Sequence, residues 1–71
     1  MFGLNLNIEG IGYMEKRYHR LDLHGVKSVA GKVFHRPDII SVCVFDEAGT
    51  ARLYLKKTEN GVVREEREAL L

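Results

Sequence analysis

Alternating apolar and polar residues predict a β-hairpin at the start of the chain. Residues 4–8 read Leu-Asn-Leu-Asn-Ile, and a period of two is typical of a half-buried strand. The polar run 14–17 predicts a turn, after which residues 18–23 alternate again and place Leu21 and Leu23 on one face. The two halves therefore predict a pair of strands joined by the polar run.

The middle of the chain predicts a turn and two further strands. His24-Gly25 is a turn signal, and residues 26–30 fit either one helical turn or a loop. Residues 31–35 predict a strand that ends before Pro37, because proline lacks the N–H that a ladder needs. Residues 39–45, Ile-Ile-Ser-Val-Cys-Val-Phe, are rich in β-branched side chains and predict the strongest strand.

The last third of the chain predicts a second hairpin. Residues 46–49, Asp-Glu-Ala-Gly, are a turn signal, and residues 50–56 predict a strand. Asn60-Gly61 predicts a type I′ turn, in which both central residues have positive φ. Residues 62–63 then fit a short returning strand, and the composition of residues 64–71 predicts a short C-terminal helix.

Together these elements predict an all-β fold: a small five- to six-stranded antiparallel β-barrel with a short C-terminal helix. Turn signals recur about every ten residues, a spacing that favours a small barrel or sandwich. A closed barrel also removes exposed strand edges. With 71 residues, the chain predicts a single domain, 1–71, because it leaves no room for a second core.

The charge of the chain is balanced overall and uneven along its length. The chain has 11 Lys and Arg residues and 10 Asp and Glu residues, a net charge of +1. The total charge therefore argues neither for nor against binding to nucleic acid. Between positions 16 and 36 six basic residues accompany one acid, which can build a local positive field. No apolar run approaches the ~20 residues that span a bilayer, and no secretory signal begins the chain. We expect a cytoplasmic protein with no membrane partner.

The candidate metal ligands and nucleophiles form no motif. His19, His24, His35 and Cys43 show neither Cys-x₂-Cys nor His-x₃-His spacing. Cys43 lies between two valines, where a small apolar filler is the expected role. A single cysteine also makes no intrachain disulfide and suits a reducing cytosol. We therefore expect no metal and no cofactor.

The acidic residues form no catalytic pair either. Asp38 and Asp46 flank the strand 39–45, and at ~3.3 Å per residue they lie more than ~20 Å apart if it is straight. Each is interpreted as a turn residue whose side chain bonds nearby backbone. Gly10 and Gly12 lack the following helix that a phosphate-binding loop needs. We expect no catalytic residue and no enzymatic activity in this chain.

Strand parity predicts which side chains form the surface. Leu53 and Leu55 are predicted to face the core, and so is Val33. The side chains then predicted to face outward are Arg52, Tyr54 and Lys56 on one strand, and Lys32 and Phe34 on another. Basic side chains beside aromatic side chains can bind a nucleic acid backbone. The alternative, a solvated charged face whose aromatics cover neighbouring strands, is favoured by the low net charge.

Spaced glycine, tyrosine and apolar positions run through most of the chain, roughly residues 8–55. They are Gly10-Ile11, Tyr18, Leu21, Leu23, Gly31-Lys32-Val33, Pro37-Asp38-Ile39, Val42-Cys43-Val44-Phe45-Asp46 and Gly49. This pattern resembles the C-terminal β-barrel domain of Mu-type phage transposases, in which V-x-Y-x-P-x-D-L-x-x-V-x-V-Y/F-D-x-x-G forms the two central strands. Here Pro37 and Asp38 are adjacent where the family has one residue between them, and the acidic tail from Glu65 replaces a basic continuation.

The resemblance implies an auxiliary, non-catalytic domain excised from a longer DDE transposase, whose active site lies in another domain. It implies salt-dependent, non-specific contact with the DNA backbone during phage DNA transposition, integration and recombination. The implied partners are DNA, the catalytic core and other transposase subunits, with the isolated domain a monomer. The implied DNA-binding residues are Lys16, Arg17, Arg20, Lys27, Lys32, Arg36, Arg52 and Lys56.

Two alternatives to DNA contact stay open at the level of sequence. One is a protein–protein interaction module in a recombinase assembly, motivated by the near-neutral charge, the acidic tail and an exposed Phe34 and Tyr54. The other is a small RNA-binding barrel of the OB or Sm-like kind, which would stack bases on one sheet face.

Overall fold

The fold is one antiparallel sheet with a single helix packed on one of its faces. The computed structural model describes residues 1–67. The elements, in chain order, are β1 (Phe2–Ile8), β2 (Gly12–Tyr18), α1 (Leu23–Phe34), β3 (Ile39–Phe45), β4 (Ala51–Thr58) and β5 (Gly61–Glu66).

The five strands form one sheet in the order β2-β1-β3-β4-β5, and every neighbouring pair is antiparallel. The expectation of a mostly β fold is confirmed. The predicted closure into a barrel is not confirmed, because β2 and β5 are the free edges of an open sheet among residues 1–67. Charged side chains on both edge strands discourage pairing with another sheet.

A first hairpin exists, but its turn lies earlier than predicted. The predicted strand 18–23 is wrong, because only Tyr18 lies in β2 and Leu23 begins α1. The N–H of Ile11 donates to the carbonyl of Ile8 at 3.1 Å, and Gly10 has φ +78°. A positive φ at the third turn position is what a type II turn requires. The polar run 14–17 therefore belongs to β2, where it pairs with β1.

Helix α1 is the largest departure from the predicted strands. Residues 31–35 were expected to form a strand and 24–25 a turn, whereas a helix covers Leu23–Phe34. Asp22 caps its N-terminus, where Oδ1 accepts from the N–H of Gly25 at 2.8 Å. The helix buries Val26, Ala30 and Phe34 at helical spacing, so the prediction that Phe34 faces outward is wrong.

The hydrophobic core lies between α1 and the sheet face beneath it. It is formed by Leu4, Leu6, Ile8, Val26, Ala30, Phe34, Ile39, Val42, Val44, Leu53 and Leu55. The inward orientation predicted for Leu53 and Leu55 is confirmed. The opposite face of the sheet is covered by no element in the described part of the chain.

The connections around β3 show what the two aspartates do. Asp46 is a turn residue as predicted, since its Oδ1 accepts from the N–H groups of Ala48 and Thr50, both at 3.0 Å. Asp38 precedes β3, where Oδ2 accepts from Arg36 at 3.2 Å and its carbonyl accepts from the N–H of Glu9 at 2.7 Å.

The C-terminal part of the structure corrects two further predictions. Glu59 and Asn60 turn the chain into β5, but no non-glycine residue among 1–67 has positive φ, so the type I′ turn is wrong. The predicted helix over 64–71 is wrong for Arg64–Glu66, which pair with β4 in strand β5. Residues 68–71 of that prediction lie outside the described residues.

Candidate interaction groove

The eight predicted DNA-contacting residues do not form one surface. Lys16 and Arg17 are neighbours on β2, so their side chains lie on opposite faces of the sheet. Lys16 pairs with the buried Leu4 and shares the face that carries α1. Arg17 lies on the uncovered face, as does Lys56 of β4, which alternates with the buried Leu55.

Four of the eight are held by carboxylates. The ion pairs are Arg17–Glu15 (2.9 Å), Lys27–Glu66, Arg36–Asp38 (3.2 Å) and Arg52–Asp46 (3.6 Å). The Arg52 side chain is only 14% exposed, and its Nε donates to the carbonyl of Arg67 at 3.1 Å. Arg52 therefore ties the end of the sheet together instead of presenting a free charge.

An apolar depression lies beside α1, between the helix and β2. We call this depression the α1–β2 groove; its volume is about 320 Å³. Its floor contains the side chains of β1 that point toward the helix, Leu4, Leu6 and Ile8. Its wall is the side of α1 that carries Val29 and Val33, both half-buried. It exists because α1 packs mainly on β3 and β1 and leaves β2 uncovered.

The outer side of the groove is built by β2 and the turn before it. Met14 and Tyr18 line it from β2, and Ile11 lines it from the β1–β2 turn. Ile11 is 72% exposed and Met14 is 44% exposed. Two large apolar side chains thus lie in water next to a half-buried apolar wall, which is the kind of patch that marks interaction sites.

Basic side chains border the groove. Lys16 and Arg36 line it together with one acid, Asp38. Lys32 follows Val29 by three residues, so it lies on the same side of α1, and it is exposed. Since Arg36 is already paired with Asp38, Lys16 and Lys32 are the cations left to attract an anionic partner.

The far end of the groove holds an unsatisfied acceptor. Oδ1 of Asp38 is buried and has no hydrogen-bond donor among the described residues, while Oδ2 is used by Arg36. A buried acceptor without a donor is costly.

The other flank of α1, toward β5, is closed by polar contacts. Lys27 of the helix donates to Glu66 of β5, and Arg64 donates to the same carboxylate at 3.1 Å. These two hydrogen bonds, first that from Lys27, lower the pKa of Glu66. Lys57 lies 5.0 Å from the ring centroid of Phe34 and donates to the carbonyl of Ile39 at 2.7 Å. Polar contacts therefore occupy the side of α1 that faces β5.

The uncovered face of the sheet is mixed and half-buried. Asn5, Cys43 and Tyr54 lie side by side on it, as cross-strand partners on β1, β3 and β4. Burial raises the pKa of the Cys43 thiol, so the thiol is neutral and a poor nucleophile. This agrees with its interpretation as a filler.

Within residues 1–67 no group of three or more His, Cys, Asp or Glu side chains is placed to hold a metal ion. Nor does that part of the chain contain a helix with the length and hydropathy to cross a membrane. No protein-family model, curated protein or solved structure matches the chain.

Sequence reasoning missed the groove because it missed α1. Met14 was assigned to a turn, and Val29 and Val33 were assigned to two unrelated segments. The signal that could have joined them is the helical spacing of Val26, Val29, Ala30 and Val33 after the capping residue Asp22. Once the helix is recognised, it follows that part of the sheet face beside it stays uncovered, because one helix is narrower than five strands.

Proposed function

We propose that this chain is a non-catalytic protein-interaction module that binds its partner at the α1–β2 groove. The observation that carries this proposal is the exposure of Ile11 and Met14 beside a half-buried apolar wall. A chain of 71 residues has little apolar surface to spare. Leaving two large apolar side chains in water is accounted for if another molecule covers them.

The apolar lining of the groove supports a polypeptide partner. Ile11, Met14 and Val29 offer no charge to a phosphodiester backbone, whereas the apolar side chains of a partner protein would be buried against them. The lone thiol fits a cytoplasmic setting for such a module.

A photocrosslinking pair tests this proposal. A benzophenone side chain is placed at position 11 in one variant and at position 62 in another, because Val62 is 60% exposed and lies on the polar β5 flank. In cells that make the protein, we expect polypeptide adducts of defined mass from position 11 and none from position 62. Equal adducts from both positions, or nucleic acid adducts from position 11, contradict the proposal.

A second candidate is the auxiliary domain of a phage-type transposase that contacts the DNA backbone. It is supported by the resemblance and by the location of Lys16, Lys32 and Arg36 on one side of the fold. Such binding would weaken steeply with salt, since each contact releases counterions. The closed barrel belongs to this candidate, and it would require the two sheet edges to meet.

Titration of duplex DNA at low salt tests the second candidate. We expect amide shifts confined to the basic positions, which are Lys16, Arg17, Arg20, Lys27, Lys32 and Arg36. The absence of shifts at millimolar DNA would exclude it. A Met14→Asn variant that carries the crosslinker at position 11 separates the two candidates, because it removes an apolar contact of the groove without adding charge. It should reduce the crosslinked complex more than it weakens DNA binding.

A further inference from the structure

We infer that the occupant of the α1–β2 groove is an acidic amphipathic helix of a partner protein, which lies beside α1 as a second helix on the sheet. This inference rests on the proposed function and adds the chemistry of the partner. It follows from the width of the sheet, the difference between the two flanks of α1, and the sign of the charges around the groove.

The sheet is too wide for one helix. Five strands at ~4.8 Å spacing place β2 and β5 about 19 Å apart, whereas a helix with its side chains is about 10 Å across. α1 packs on β3 and β1, so one flank of the sheet remains on each side of it. The β5 flank carries the Lys27–Glu66 ion pair and Lys57, which place charged groups beside the helix. The β2 flank has room for a helix.

The length of the groove also suits a helix. β2 has seven residues, which span about 23 Å at ~3.3 Å each. A helix covers that distance with about fifteen residues at 1.5 Å each. Its apolar side chains, at spacings of three and four residues, would pack between Met14 and Val29.

The charges select an acidic helix. Lys16 and Lys32 lie on opposite sides of the groove, one on β2 and one on α1, and neither is in an ion pair within residues 1–67. Carboxylates on both sides of the apolar stripe of the incoming helix would meet them. A second copy of this chain is a poor occupant, because its own groove carries the same cations and its α1 already faces its own core.

Binding of a designed peptide tests the inference with the intact chain. The probe is a labelled peptide of about 18 residues with Leu on one face and Glu on the other, longer than the ~12–15 residues below which isolated helices are marginal. Two controls share its length. One has the same composition in scrambled order, and the other carries Lys in place of Glu. We expect the acidic amphipathic peptide to bind at least about tenfold more tightly than either control, a difference of ~1.4 kcal/mol.

Matched substitutions locate the binding. Ile11→Glu should weaken binding of the acidic peptide by about tenfold or more, because it puts a carboxylate in the apolar contact. Val62→Glu, at an apolar site on the other flank that is 60% exposed against 72% for Ile11, should leave it unchanged. Lys16→Glu should weaken it, whereas Lys56→Glu, on the opposite face of the sheet, should do so less. Since Ile11 is exposed, the variants should keep the wild-type far-UV spectrum.

Amide shifts of the wild-type protein give a readout that needs no variant. On addition of the acidic peptide they should concentrate at Ile11, Met14, Lys16, Val29 and Val33. Equal binding of acidic and scrambled peptides, equal weakening by Ile11→Glu and Val62→Glu, or a dimer of the free protein through this groove would overturn the inference. Tighter binding of anionic vesicles or duplex DNA at the same residues would also overturn it. If the acidic peptide does not bind but polypeptide adducts still form at position 11, only the inferred chemistry of the partner is rejected. If neither the peptide binds nor adducts form, the proposed function is rejected.

Discussion

The ring of Phe45 lies directly against the backbone of Gly3, its cross-strand neighbour on the uncovered face of the sheet. A Cβ atom at position 3 would lie 2.2 Å from one ring carbon and 2.3 Å from another. Only a residue without a side chain fits there. The contact shields part of a face that no other element covers.

Gly3→Ala should therefore destabilise the protein. The ring must leave its position, and overpacking of this kind costs about 1–3 kcal/mol. Denaturant unfolding followed by circular dichroism measures the change. The control is Gly31→Ala, since no atom lies within 4 Å of a Cβ at position 31, and it should be neutral or stabilising. Equal stability of the two variants would show that the ring moves without cost.

Loss of the helix cap should also be measurable. Asp22→Ala removes the acceptor for the N–H of Gly25, and loss of an N-cap costs about 1 kcal/mol. Asp22→Asn keeps an oxygen acceptor at the same place and should restore most of the stability. Thermal unfolding of the three proteins makes the comparison. If the alanine variant unfolds at the same temperature as the wild type, α1 is stabilised by packing alone.

The stability should depend on pH through Glu66. Its pKa is lowered in the folded state by hydrogen bonds from Lys27 and Arg64. A carboxylate with a depressed folded pKa contributes stability above its unfolded pKa, and that contribution is lost as the pH falls through the folded value. We expect the free energy of unfolding of Glu66→Gln to fall less steeply toward acidic pH than that of the wild type. Glu65→Gln, on the opposite face of the same strand, should keep the wild-type slope. Equal slopes for the wild type and both variants would contradict this role of Glu66.

The thiol of Cys43 should react slowly. Burial raises its pKa, so less thiolate is present in the folded state than in a free cysteine at the same pH. We expect alkylation by iodoacetamide at mildly alkaline pH to be slow in the native protein and to rise to the rate of a free thiol in denaturant. Mass spectrometry of timed samples gives both rates. A native rate equal to the denatured rate would show an unprotected side chain.

The sequence predicted correctly those features that depend only on residues close to each other in the chain. Residues 39–45 are so rich in β-branched side chains that β3 was predicted with its boundaries. Asp46 was predicted as a turn residue because its short side chain can bond to nearby backbone. In the structure it accepts from the N–H groups two and four residues ahead. The inward orientation of Leu53 and Leu55 followed from strand parity alone.

Helix α1 and the C-terminal end of β5 were decided by tertiary packing. Glycine and valine in residues 23–34 have modest helix propensity, and the helix forms because Val26, Ala30 and Phe34 can be buried against a sheet made elsewhere in the chain. The charged run from Arg64 favours a helix by composition, yet β4 offers it backbone hydrogen bonds. Such non-local pairings are invisible to a local pattern.

By itself, the sequence determined the mostly β character of the protein, the strand 39–45, the turn at Asp46 and the inward side chains of Leu53 and Leu55. These depend on interactions within a few residues, where periodicity and side-chain chemistry act directly. Only the tertiary structure decided that the sheet is open in residues 1–67, which cations are neutralised, and that an apolar groove lies between α1 and β2. Those features depend on where a 12-residue helix rests on a wider sheet, a result of packing between segments distant in the chain.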